Sequence, residues 1–185
     1  MSDLEGITNR QAENWWVGII PYSNDRPIIY GEIGVFCGHN LISVEQAFAN
    51  HPESKLYAMD PWADYDGYPE NIGKQELHYS YFCNNIKKRN IQHKVVILRN
   101  KSQESLLTIE DNFFDILYID GSHEYEYVVK DCELSILKTK VGGYIIIDDT
   151  NYPPVINAVD EVLGKASNIR LVKDSVDQRT YQKIN

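Results

Sequence analysis

From Ile28 onward the chain alternates short β-rich runs with stretches of helical periodicity, and this alternation limits the fold more than any other feature of the sequence. Ile28 to Val35 reads as a first strand, after which Leu41, Val44 and Phe48 recur at three- and four-residue spacing on one helix face. Leu56 to Asp60, Val95 to Leu98, Phe114 to Ile119 and Tyr144 to Ile147 read as four more strands. Between the last two, Tyr125, Val128, Val129, Cys132 and Ile136 form an apolar stripe, with Lys130 and Asp131 off it. Beyond Pro153 and Pro154, Ile156, Val159 and Leu163 mark another helix, and Ile169 to Val172 and Thr180 to Ile184 close the chain as an antiparallel hairpin. Strands joined by crossover helices give an α/β fold: a doubly wound, mostly parallel, seven-stranded sheet with that hairpin at its end.

A length of 185 residues with 43% hydrophobic and 24% charged residues fits one domain, 1–185. Within it 1–27 is an N-terminal segment without a recognisable pattern. The long stretch 61–79, rich in Tyr, Asp and Gly, is a candidate lid. Apolar runs are only strand-length and no signal-peptide pattern opens the chain, so no membrane partner is expected. The three cysteines, Cys37, Cys83 and Cys132, have no CxxC spacing and read as reduced thiols, which suits a cytoplasmic location. A formal charge of −9 repels a phosphate backbone, so nucleic acid is not an expected partner.

In a doubly wound sheet, ligands bind at the carboxyl ends of the strands, which directs attention to the loops near Gly34, Asp60, Asn100, Asp120 and Asp148. The first loop carries Glu32-x-Gly34-x-x-x-Gly38, where two glycines allow a sharp turn and a close ligand approach; such a turn also occurs without a ligand. Asp60 lies 26 residues after Gly34, at the end of the second strand, where a carboxylate can accept from both ribose hydroxyls or merely serve an Asp-Pro turn. Trp62 follows and can pack on a ligand or close a core edge. Ser102 and Gln103 open a helix with a hydroxyl and an amide suited to a nucleobase edge, although Ser102 is equally an N-cap candidate.

Asp120 and the pair Asp148-Asp149 end adjacent strands, so three carboxylates converge where a cation such as Mg²⁺ would relieve their repulsion. His123, three residues beyond Asp120, can face the same cavity and take a proton near neutral pH, or cap a helix.

The block Ile119-Asp120-Gly121-Ser122-His123 with the later Gly142-Gly143 and Asp148-Asp149 resembles the macrocin O-methyltransferase-related group of class I methyltransferases, over about Tyr30 to Asn185. It is also similar to catechol O-methyltransferase. The resemblance implies a Rossmann-like methyltransferase fold with S-adenosylmethionine as methyl donor and a metal-assisted transfer to a hydroxyl of a sugar or glycan. Glu32, Gly34, Gly38, Asp60, Ser102, Gln103 and Asp120 would then bind the donor, with its amino-acid part against the glycine loop and its adenine beside Ser102 and Gln103. Asp120, Asp148 and Asp149 would hold the metal and His123 would be the base. A catechol-like or other small acceptor is the nearest alternative. A nucleotide-binding oxidoreductase lacks support from the glycine spacing, and a non-catalytic ligand-binding protein on the same fold stays open.

Overall fold

The structure, a computed structural model, describes residues 3–6, 16, 18–22 and 24–185. The remaining positions of the 1–27 segment lie outside the described residues. In chain order the elements are β1 (Ile29–Ile33), α1 (His39–Phe48), β2 (Lys55–Met59), a 3₁₀ turn (Pro69–Asn71), α2 (Gln75–Lys88) and β3 (Val95–Leu98). They continue with α3 (Ser102–Leu107), β4 (Phe114–Ile119), α4 (Tyr125–Lys138), β5 (Thr139–Asp148), α5 (Pro153–Val162), β6 (Ile169–Asp174) and β7 (Gln178–Lys183). The strands form one sheet in the order β3-β2-β1-β4-β5-β7-β6. The first five are parallel, and β7 runs antiparallel to both β5 and β6. This is the expected α/β architecture with its C-terminal hairpin.

Strict two-residue alternation divides the apolar side chains of the central strands between two cores. Ile116, Tyr118, Tyr144 and Ile146 face one core, with α1, α2 and Trp16. Leu117, Ile119, Ile145 and Ile147 face the other, with Leu106, Val128, Cys132, Val155 and Val159 from α3, α4 and α5. The N-terminal segment, which carried no readable pattern, supplies Trp16: it is buried against Tyr30, Phe48 and Tyr118, and its indole N–H donates to Gln178 Oε1 at 2.7 Å.

Three local expectations change. β5 begins at Thr139 and not Tyr144, because Lys140 to Gly143 form an irregular stretch opposite Asp115 before regular pairing resumes at Ile116↔Tyr144. The far end of the 61–79 stretch is helical from Gln75. On α4 the stripe is rotated, so that Tyr125 is 38% exposed while Asp131 is only 1% exposed. Among the described residues no helix is long and apolar enough to cross a membrane.

Candidate active site at the carboxyl edge of the sheet

The order in which strands are added to the sheet switches sides between the parallel neighbours β1 and β4, and the loops after these strands line a cavity of about 850 Å³. Its floor is the glycine loop. Gly34 has φ +81°, and a Cβ there would lie 1.8 Å from the Asp120 carbonyl oxygen, so the loops after β1 and β4 can meet only over a bare backbone. Gly38, at φ +79°, caps α1 against the Phe82 ring.

Asp60 lines this cavity, yet its carboxylate first serves the protein. Oδ2 accepts from the backbone N–H groups of Val35 and Phe36 at 2.9 Å each, and Oδ1 from that of Trp62 at 2.7 Å. Burial raises its pKa, and these three backbone hydrogen bonds pull it back. The Trp62 indole N–H then donates to the Phe36 carbonyl at 2.9 Å. Sequence alone offered a ribose acceptor or a turn residue at 60; the structure shows a clasp between the glycine loop and the root of the lid, and a ribose would have to share its lone pairs.

Glu32 is buried and accepts from the Tyr30 hydroxyl and from Asn40 Nδ2 (3.0 Å), with burial lifting its carboxyl to about 8. Tyr30 stands two residues away on the same strand face, a relation that period-two spacing could have disclosed.

Ser102 and Gln103 both line the cavity, but their side-chain donors point into the protein. Ser102 Oγ donates to Asp131 Oδ1 at 2.7 Å and Gln103 Nε2 donates to the same oxygen at 2.6 Å. Lys101, not Ser102, is the N-cap of α3, so the capping alternative falls. Asp131 was missed because its charged neighbours Lys130 and Glu133 suggest a solvent face. Burial raises its pKa to about 7.

The acidic cluster is arranged differently from the expectation. Asp120, His123 and Asp149 each place one ligand atom within 4.8 Å of the others, and His123 Nε2 lies 3.1 Å from Asp149 Oδ2. Asp148 is not part of that group. As the last residue of β5 it shares a sheet face with Ile146 and Tyr118, and its Oδ2 accepts from the Tyr118 hydroxyl at 2.6 Å. Asp149, at φ 53°, turns the chain away and carries its carboxylate toward His123. The same Tyr118 hydroxyl reaches Asp120 Oδ2 at 3.3 Å, so Tyr118 is buried between two acids. It too was legible only through its i, i+2 relation to Asp120.

The candidate lid closes one side of the cavity. Tyr65 and Tyr68 lie in contact, Tyr68 packs edge-on against the His123 ring at 5.6 Å, and Tyr152, the N-cap of α5, approaches that ring at 6.0 Å. The Tyr65 hydroxyl meets the His123 backbone and the Ser122 side chain. His123 is thus held between the lid and Asp149; contrary to expectation it does not line the large cavity but a small pocket beside it, shared with Asp120 and Asp148.

Residues 32–150 match the family model described as a methyltransferase domain. An uncharacterised protein of Acanthamoeba polyphaga mimivirus is 34% identical over 144 residues, 74% of this chain; the chain spans 60% of that relative's length. Among solved structures, a Corynebacterium glutamicum protein shares the fold with a TM-score of 0.71 at 8% identity, over 98% of this chain and 84% of its own. An O-methyltransferase of Bacillus cereus in complex with SAH does so with a TM-score of 0.65 at 16% identity, over 85% and 74% of the two chains. At such identities these structures speak for the fold alone.

Proposed function

The chain belongs to the methyltransferase-domain family, and on that footing we propose that residues 1–185 act as one catalytic domain that moves the methyl group of S-adenosylmethionine to a hydroxyl of a small acceptor, a sugar or glycan. The observation that carries this reading is one cavity lined by the glycine loop and, packed against that loop, by Asp120, with Asp149 also on its wall and His123 beside Asp149. When bound, the donor supplies a methyl group on a positively charged sulfur, open to in-line displacement by oxygen. Gly34 fits this ligand because its bare backbone lets the loops after β1 and β4 meet and so shapes the cavity wall, and Glu32 fits it as a buried cavity-lining acid able to face a cationic amino-acid end. Asp60 serves the ribose while keeping the loop folded, and Ser102 and Gln103 flank the base.

An alcohol is a poor nucleophile at neutral pH, so its proton must go somewhere as the oxygen attacks. His123 takes it, and Asp149 fixes the ring and stabilises the imidazolium. Two carboxylate oxygens and one imidazole nitrogen also fit a divalent cation, so Asp120, Asp149 and His123 form the candidate ligand set, with Asp148 held back by Tyr118. A bound cation would lower the acceptor hydroxyl's pKa and offset the clustered negative charge. Nε2 cannot both ligate a cation and accept a proton. The two uses of that atom therefore predict opposite responses to chelation.

The test combines calorimetry with the donor and its demethylated product with methyl transfer to panels of sugars and catechols, with and without chelator and added Mg²⁺. Binding of both donor forms and transfer to a sugar hydroxyl are expected. Transfer confined to catechols would replace the sugar assignment, and binding of neither donor form at millimolar concentration would overturn the reading. Turnover abolished by chelator and restored by Mg²⁺ assigns Nε2 to the metal, whereas turnover indifferent to chelator assigns it to the proton.

A further inference from the structure

Behind the cavity wall lies an acid that the transfer chemistry does not use. Asp131 is 1% exposed, and its Oδ2 sits 3.9 Å from where a Cβ on cavity-lining Gly121 would be. Its Oδ1 accepts from Ser102 Oγ at 2.7 Å and from Gln103 Nε2 at 2.6 Å. A hydroxyl has one proton to donate, and an amide has its donors and its acceptor at opposite ends. With those donors committed to Asp131, Ser102 keeps only lone pairs and Gln103 turns its Oε1 away from the acid. Reversing the amide would set two oxygens against each other, so the carboxyl group fixes the orientation.

We infer that Asp131 sets the hydrogen-bonding polarity of the nucleobase site, so that Ser102 and Gln103 present acceptors and select a base bearing an exocyclic amino group over one bearing a carbonyl at the same position. This rests on the donor reading above and adds the chemical basis of the base preference. Asp131 touches no ligand itself; it is a positioning residue that acts through Gln103 and Ser102. A 6-oxo base in place of a 6-amino base would bring a carbonyl against these acceptors, losing a hydrogen bond and gaining repulsion. The preference should be about tenfold to a hundredfold.

The test is calorimetric titration of the full chain with S-adenosylhomocysteine and with its 6-oxo counterpart, S-inosylhomocysteine. The wild type should prefer the adenosyl compound by that factor. Asp131→Asn should keep the preference, because its amide carbonyl still accepts both donors. Asp131→Leu removes the acceptor and should bring the two affinities within about threefold; Asp131→Ala serves the same purpose should the leucine variant fail to fold. Gln103→Met should also lose the preference. A purely structural role for Asp131 would lower both affinities together and leave their ratio unchanged, which overturns the inference, as does equal binding of the two compounds by the wild type. If the wild type binds neither compound, the donor reading itself falls and takes this inference with it; if it binds the adenosyl compound without discrimination, the donor reading survives alone.

Discussion

His123 and Asp149, 3.1 Å apart beside Asp120, are the residues on which the proposed chemistry turns. His123→Ala should reduce turnover by about 10²- to 10⁴-fold while leaving donor affinity within a factor of two, as steady-state rates and calorimetry would show. Loss of donor affinity to the same degree would place the ring in the donor site. Gly34→Ala is the complementary case, since its Cβ would meet the Asp120 carbonyl oxygen at 1.8 Å in a left-handed backbone. It should cost roughly 3 kcal/mol or more in urea unfolding and abolish donor binding. Residue types made these positions legible, because glycine at a strand end and acids at neighbouring strand ends carry chemical meaning by themselves. Their partners were not legible. Whether Asp148 or His123 joins the cluster depends on the left-handed turn at Asp149 and on the hydroxyl of Tyr118, and neither is visible in spacing.

Elements are joined by ion pairs of very different worth, and burial decides which matter. Lys94, just before β3, donates from Nζ to Glu45 Oε1 at 2.6 Å and to the Ala49 carbonyl in a buried setting, and to the Asn50 carbonyl, beyond the end of α1, in a part-buried one. Lys94→Ala leaves Glu45 buried without that partner, and should cost about 3 to 5 kcal/mol. Arg89 with Asp3, its carboxylate 62% exposed, should yield no more than about 1 kcal/mol on Arg89→Ala. Equal losses in the two urea midpoints would show that burial does not set the scale here. The strands and the helices α1, α4 and α5 were readable because their apolar spacing answers to local geometry. The first half of β5 was not, since Lys140 to Gly143 lack both alternation and β-branched pairs. Nor was the buried side of Asp131, which follows from how α4 is rotated on the sheet by its neighbours.

Across the whole molecule, acids raised by burial give stability a slope with pH, Glu32 and Asp131 foremost, with Asp60 adding in the same sense. Glu32 and Asp131 hold their protons in the folded state up to about 8 and about 7, whereas unfolded carboxyl groups release them near 4. Between those limits the folded state binds more protons, so unfolding becomes easier as pH rises. The urea midpoint should fall from pH 5 to pH 8, and Asp131→Asn should flatten the part of that fall below pH 7. A midpoint that rises over the same range in both proteins would contradict this. The Asp60 clasp has a consequence of another kind. Val35 and Phe36 of the glycine loop and Trp62 at the root of the lid hang on one carboxylate, and the Trp62 indole returns to the Phe36 carbonyl. Filling the donor site therefore braces the segment that closes over the acceptor, and the two substrates should enter in a compulsory order. Initial-rate measurements should find the demethylated product competitive against the donor and a dead-end acceptor analogue uncompetitive against the donor, a pattern that random entry would not give.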